Sequence, residues 1–73
     1  MTVWQSKVKD CKGVLLEGRN RTHGFTVERT LQQLMSEAEA ASGVFGPGNI
    51  PVSDEMTVKA LTDWHADYDW RLL

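Results

Sequence analysis

On either side of a turn signal at residues 10–13, apolar and polar positions alternate, with Val3 and Leu15 as exceptions, a pattern that predicts a β-hairpin. The tetrapeptide DCKG at positions 10–13 has Asp at the first position of a type I turn and Gly at the fourth, where a bulged hairpin loop requires positive φ. Pairing about this turn places Lys7 and Lys9 on one face. The other face collects the apolar side chains of Trp4, Val8, Val14 and Leu16. We therefore expect a half-buried hairpin over about residues 2–22.

A helix is the alternative for the same segment. Trp4, Val8, Cys11 and Leu15 recur at the spacing of one helical stripe. Gly13 in the interior would cost such a helix roughly 1 kcal/mol relative to alanine. The hairpin is therefore the preferred interpretation.

Apolar side chains at helical spacing predict a second element, a helix over about residues 27–42. Thr26 is placed to cap its first turn, Glu28 lies near the positive end of the helix dipole, and Gly43 can end it in the left-handed conformation. The inward stripe consists of Val27, Leu31, Leu34, Met35, Ala38 and Ala41, while Glu37 faces water.

Glycines and prolines interrupt residues 43–52, which predicts a loop. Val44, Phe45 and Ile50 are too apolar for a plain linker, so we expect this loop to fold back on the core. The alternative is that Phe45 is exposed and anchors a partner protein.

A third element is predicted as a helix over about residues 54–71. Ser53 is the expected cap, and Asp54 and Glu55 lie in the first turn. Trp70 lies outside the apolar stripe, so we expect it to pack against the hairpin or to contact another subunit. The stripe itself consists of Met56, Ala60, Leu61, Trp64, Tyr68 and Leu72.

These elements predict one small α+β domain over residues 1–73, with an N-terminal hairpin and two helices packed on it. An all-α bundle of three helices is the alternative. A chain of 73 residues buries a small core, which favours self-association, and we expect a homodimer.

Composition narrows the class of protein further. A chain that is 41% hydrophobic and 25% charged is typical of a folded domain. No apolar run is long enough for a membrane span, the first residues lack the apolar core of a signal peptide, and Cys11 has no second cysteine to pair with. We expect a cytoplasmic protein without membrane association.

The groups that catalysis or metal binding needs are scarce. His23 and His65 are the two histidines, and His65 with Asp69 provides at most two ligands, whereas zinc sites use three or four. Asp63 and Asp67 share one helix face, and Arg71 is spaced to pair with Asp67. The prediction is a protein that is not an enzyme and has no cofactor.

Charge is distributed unevenly along the chain. Residues 1–30 carry six basic and three acidic side chains, whereas residues 31–73 carry two basic and seven acidic ones. We expect the two parts to neutralise each other within the fold. Arg19, Arg21 and His23 alternate and would point the same way in an extended chain, as a phosphate-binding edge requires.

The preferred function is a small non-catalytic, protein-binding regulator or inhibitor that acts by occupying a surface of its partner. Its predicted contact residues are Trp70, Phe45, Asp63, Asp67 and Arg71. The alternative is a nucleic-acid-binding regulator that uses Arg19, Arg21, His23, Lys7 and Lys9, although an isoelectric point near 5.5 disfavours it. A small-ligand binder or enzyme is a further alternative.

Overall fold

The computed structural model describes residues 3–73, which form an α+β fold of three helices and one antiparallel sheet of three strands. The strand order is β2-β1-β3, so the first strand along the chain lies in the centre of the sheet. The elements in chain order are α1 (Val3–Asp10), β1 (Leu15–Asn20), β2 (Thr26–Thr30), α2 (Leu31–Ser42), α3 (Asp54–Trp64) and β3 (Tyr68–Leu72).

The predicted N-terminal hairpin is wrong, because its first half is the helix α1. Val8 and Cys11 of the alternative helical stripe are buried in the core, and Trp4 packs against it. Gly13 lies beyond the end of α1, in a turn that the Val14 N–H closes by donating to the Cys11 carbonyl at 3.1 Å. Gly13 is therefore not part of α1, and the free-energy cost of a glycine in the helix interior does not apply.

The hairpin partner of β1 is β2, with Gly18 opposite Val27 and Arg19 opposite Thr26. Residues 26–30, predicted as the first turn of a helix, are therefore a strand. The helix begins one turn later, where Thr30 has extended backbone and its Oγ1 accepts the Gln33 N–H at 3.1 Å. Thr26 is not the cap. The predicted end of this helix is confirmed, since Gly43 has φ 67° in the left-handed region.

The third helix begins where predicted and ends earlier than predicted. Ser53 Oγ accepts the Met56 N–H at 3.2 Å, and α3 ends at Trp64. After a short turn the chain reverses, and β3 pairs antiparallel with β1, with Trp70 opposite Gly18. Residues 68–72 are thus the third strand of the sheet and not the last turns of a helix.

All three helices lie on one face of the sheet, which we call the inner face; it carries Leu16, Gly18 and Trp70. The core between helices and sheet includes the buried side chains of Leu31, Leu34, Met35, Ala38, Phe45 and Leu61. The loop after α2 folds back as expected, because Phe45 is completely buried and its N–H donates to Glu39 Oε2 at 2.8 Å. None of the described helices is both long and apolar enough to cross a lipid bilayer.

Candidate binding groove and sheet edge

The inner face of the sheet is built around a contact between Gly18 and Trp70. Gly18 of β1 lies opposite Trp70 of β3 on one side and opposite Val27 of β2 on the other. A Cβ atom at position 18 would overlap the indole ring, so the absent side chain of Gly18 is what lets the ring lie across the central strand. Trp70 is only 8% exposed. It was expected either to pack against the hairpin or to contact another subunit, and in the structure it packs inside the fold against β1.

Aromatic rings continue from this contact along β3 and into the turn before it. The rings of Tyr68 and Trp70 are stacked with their centroids 5.5 Å apart, and His65 meets Trp70 edge-on at 5.8 Å. Phe25, which lies directly before β2, meets Tyr68 edge-on with the ring centroids 6.0 Å apart. These contacts fix the position of the Trp70 ring.

A groove of about 200 Å³ opens beside this aromatic row, between β2 and α2. We call it the inner-face groove. Its walls include Val27 and Arg29 of β2, Glu37 of α2, and the rings of His65, Tyr68 and Trp70.

The two charged side chains of the inner-face groove have no ionic partner among residues 3–73. Arg29 is exposed, and its Nη1 donates to the backbone carbonyl of the neighbouring Glu28 at 2.8 Å. Glu37 is exposed on α2. Both charges therefore remain available to a bound molecule.

Two residues that line the groove each have a ring nitrogen that is buried without a hydrogen-bond partner among the described residues, namely Trp70 Nε1 and His65 Nε2. A buried polar group without a partner destabilises a fold by about 1–3 kcal/mol, so such groups are rare. Burial lowers the pKa of His65 below its ordinary value, and the nearby Glu37 carboxylate acts in the opposite direction. His65 is accordingly neutral at pH 7.

The backbone of β2 forms an open edge next to this groove. The Asn20 N–H donates to the Phe25 carbonyl at 2.8 Å and the Leu31 N–H to the Val14 carbonyl at 2.9 Å. Because antiparallel bonding alternates along a strand, Thr26, Glu28 and Thr30 direct their backbone N–H and C=O groups away from β1. This outward-facing backbone of Thr26–Thr30 is called the β2 edge below.

The opposite edge of the sheet, along β3, is partly covered. The backbone N–H of Trp70 faces away from β1 and donates to Thr62 Oγ1 of α3 at 3.3 Å. Sheet edges commonly avoid unwanted pairing through such coverage. No comparable hydrogen bond from another described element reaches the N–H groups of Thr26 and Glu28 on the β2 edge.

The residues predicted to bind a partner do not form one surface. Phe45 is part of the core, so it is not exposed as an anchor in the free chain. Asp63 pairs with Lys59 at 3.2 Å. Arg71 pairs with Glu17 at 2.9 Å and not, as its spacing suggested, with Asp67, because it lies in a strand and not on a helix. Trp70 alone lines the inner-face groove.

The residues of the alternative anion-binding set are largely occupied. Arg21 binds Asp69 at 2.6 Å, and this hydrogen bond lowers the pKa of Asp69 and raises that of Arg21. His65 and Asp69 do not pair, because α3 ends at Trp64 and Asp69 lies in β3. Lys7 binds Asp54 at 2.7 Å, and the ring of His23 stacks on Phe25 at 6.3 Å.

Arg19 and Lys9, the remaining two members of that set, are exposed, one on β1 and one on α1. Neither takes part in an ion pair among residues 3–73. The set as a whole therefore does not form a continuous basic strip.

Sequence patterns did not reveal Arg29, Glu37 or the β2 edge as candidate site features. Arg29 and Glu37 were placed on one predicted helix, where no groove would lie between them. The available signal was the alternation of apolar and polar residues from Phe25 to Glu28, which is typical of a strand.

Residues 3–73 contain no group of three or more His, Cys, Asp or Glu side chains placed to hold a metal ion. No protein family, curated protein or solved structure matches this chain. The groove and the edge beside it are therefore the observations from which a function is argued.

Proposed function

We propose that this protein is a non-catalytic binding module that captures an extended segment of a partner protein as an additional strand on β2. The observation that carries the proposal is the position of the β2 edge, which is uncovered in the described chain and borders a groove with unpaired charges. Strand addition to an open sheet edge is a common mode of peptide recognition, in which backbone bonds supply affinity and side-chain pockets supply specificity.

The side chain of Arg29 supports this mode. Its Nη1 donates to the outward-facing carbonyl of Glu28, which is where the N–H of an added strand would donate. The guanidinium thus occupies one bonding position of the missing strand, and it can swing aside when a segment binds because Arg29 is exposed.

Charge defines the partner segment. Glu28 lies on the outer face of the sheet and Arg29 on the inner face, and neither has an ionic partner among the described residues. A segment bound antiparallel to β2 satisfies both with a basic residue opposite Glu28 and an acidic residue opposite Arg29.

A second copy of this chain fits the β2 edge poorly. Two-fold pairing of β2 with itself over its full length, Thr26–Thr30, is centred on Glu28 and sets Glu28 opposite its own counterpart. Directly opposed like charges destabilise a strand pair. The proposed partner is therefore a different protein. The predicted homodimer needs another surface, and sedimentation of the purified chain at micromolar concentration measures whether it forms.

The regulatory or inhibitory role predicted from the sequence rests on the same site. A captured segment is withdrawn from whatever other contacts it makes, so binding alone alters the partner's activity. No catalytic group of this chain is required for that effect.

The substitution Glu28→Pro tests the proposal. Proline removes one outward-facing N–H of the β2 edge and blocks strand addition, but it leaves the bonds between β1 and β2 in place because the Glu28 N–H does not face β1. Glu28→Gln is the matched control, since it keeps the N–H and the side-chain size.

The measurement compares proteins from the source cells retained by the immobilised wild-type chain and by each variant. We expect one partner retained by the wild type and by Glu28→Gln, and lost with Glu28→Pro while circular dichroism shows an unchanged fold. Equal retention by Glu28→Pro, or no retained protein with the wild type, contradicts the proposal.

A further inference from the structure

We propose that the inner-face groove is a carboxylate-binding site, which receives the side chain of an acidic residue in the captured segment. The site assignment stands on the groove itself, and the source of the carboxylate rests on the proposed function. The groups that recognise the carboxylate are the Arg29 guanidinium, the Trp70 indole N–H and the His65 imidazole.

Register places the carboxylate on the correct side of the sheet. Arg29 lies opposite Leu16, whose side chain is buried on the inner face, so Arg29 belongs to that face as well. A residue of an added strand directly opposite Arg29 also points to the inner face, because opposed residues in a sheet share a face. Its side chain enters the groove from the β2 edge.

The donors in the groove have no carboxylate acceptor among the described residues of the free chain. Arg29 has no carboxylate partner among the described residues, and a guanidinium matches a carboxylate in charge and planar shape. Trp70 Nε1 can only donate a hydrogen bond, and it has no acceptor among residues 3–73. A carboxylate oxygen satisfies both at once.

His65 closes the inner end of the site. Its Nε2 is buried and unpartnered, yet its side chain as a whole is only partly buried at the end of α3. Turning of this ring about its side-chain bonds opens access to Trp70 Nε1 and brings an imidazole nitrogen towards the bound oxygen.

Glu37 balances the charge of the site. Arg29 and Glu37 together contribute no net charge to the groove, and His65 is neutral in the free chain, so a carboxylate alone would leave one negative charge in excess. Protonation of His65 removes that excess, because an added anion raises its pKa.

The sign of the pH dependence follows from this balance. The bound state takes up a proton that the free state lacks, so carboxylate affinity increases as pH falls through the pKa of His65 in the complex. The affinity stops increasing below the pKa of His65 in the free chain, which is lower than its pKa in the complex.

The indole N–H signal of Trp70 in a ¹H–¹⁵N spectrum reports on the site directly, and Trp4 provides an internal reference on α1. The probes are sodium acetate, acetamide as its neutral isostere, and sodium chloride at matched ionic strength. We expect a saturable shift of the Trp70 signal with acetate alone, and affinity that rises from about pH 7.5 to about pH 5.5, on either side of the ordinary histidine pKa.

Two variants assign the roles. Arg29→Gln should weaken acetate binding by about tenfold, the amount typical of a lost charge-assisted hydrogen bond. His65→Gln should keep binding measurable but remove its pH dependence between these two pH values. No shift with acetate, or an equal shift with acetamide or chloride, overturns the proposal.

A pair of blocked peptides separates the two sources of carboxylate. The peptide acetyl-TEKVT-amide places Glu opposite Arg29 and Lys opposite Glu28 when it binds antiparallel to β2, and acetyl-TQKVT-amide lacks only the carboxylate. We expect the first to shift the Trp70 signal at lower concentration than acetate and the second to bind at least about tenfold more weakly. An acetate-like affinity for the first peptide identifies a free small carboxylate as the ligand and overturns the assignment to a captured segment.

The Glu28→Pro variant separates failure of this inference from failure of the proposed function. Acetate binding should survive in Glu28→Pro, since the groove is unchanged, whereas peptide binding should be lost. Partner capture that depends on position 28 without any acetate shift contradicts the groove assignment alone.

Discussion

Gly18 decides where the indole of Trp70 lies, and through it the shape of the groove. We predict that Gly18→Ala lowers the free energy of unfolding by about 1–3 kcal/mol, the range typical of an added methyl group that forces a packed side chain to move. The Cβ would overlap the Trp70 ring. Urea denaturation monitored by tryptophan fluorescence measures the change.

Gly13 provides the matched control for that substitution. A Cβ at Gly13 has no heavy atom within 4 Å, so Gly13→Ala should change the free energy of unfolding by less than about 0.5 kcal/mol. Equal effects at the two positions would show that Trp70 does not lie across Gly18.

At the scale of elements, the boundary between β2 and α2 is set by Thr30. Removal of an N-cap hydroxyl costs about 1 kcal/mol. We therefore predict that Thr30→Ala lowers the free energy of unfolding by about 1 kcal/mol, because Gln33 N–H loses its acceptor. Thr26→Ala is the control, and thermal unfolding measures both. A larger loss at Thr26 would place the helix start where the periodicity alone put it.

The ends that local chemistry controls could be predicted from the sequence. Ser53 begins α3 and Gly43 ends α2, since a cap depends on the residues of one turn. The α+β class was also predicted correctly, although only β1 lies where the predicted hairpin placed a strand.

The strands β2 and β3 could not be assigned locally, because their apolar residues fit two periods. Val27 continues the helical stripe of Leu31, and Tyr68 is four residues from Leu72, yet Tyr68, Trp70 and Leu72 also alternate as a strand requires. Pairing with β1 selects the strand in both cases. That choice depends on residues far away in the sequence.

The candidate site was predictable only in part. Trp70 was singled out because it lies off the helical stripe, and it does line the groove. Arg29 and Glu37 come together only because one lies on a strand and the other on the helix that follows it. Once both were assigned to a single helix, no pattern could place a groove between them.

At the scale of the whole molecule, the uneven charge of the sequence is compensated inside the fold. Three ion pairs join residues 1–30 to residues 31–73, namely Lys7–Asp54, Arg21–Asp69 and Arg71–Glu17. Ion pairs at or near the surface contribute little stability. Among residues 3–73, Glu28, Arg29 and Glu37 are left without an ionic partner, and the proposed segment is placed beside these three charges.

In the described part of the chain, the β2 edge is open whereas the β3 edge is partly covered, and the central claim is that the β2 edge receives a strand. Amide hydrogen exchange with and without a near-saturating concentration of acetyl-TEKVT-amide tests it most directly. We predict that the outward-facing amides of Thr26 and Glu28 exchange rapidly in the free chain and are protected in the complex, while the amide of Tyr68 on the opposite edge is unchanged. Binding without protection of Thr26 and Glu28, or with protection confined to β3, would contradict the account.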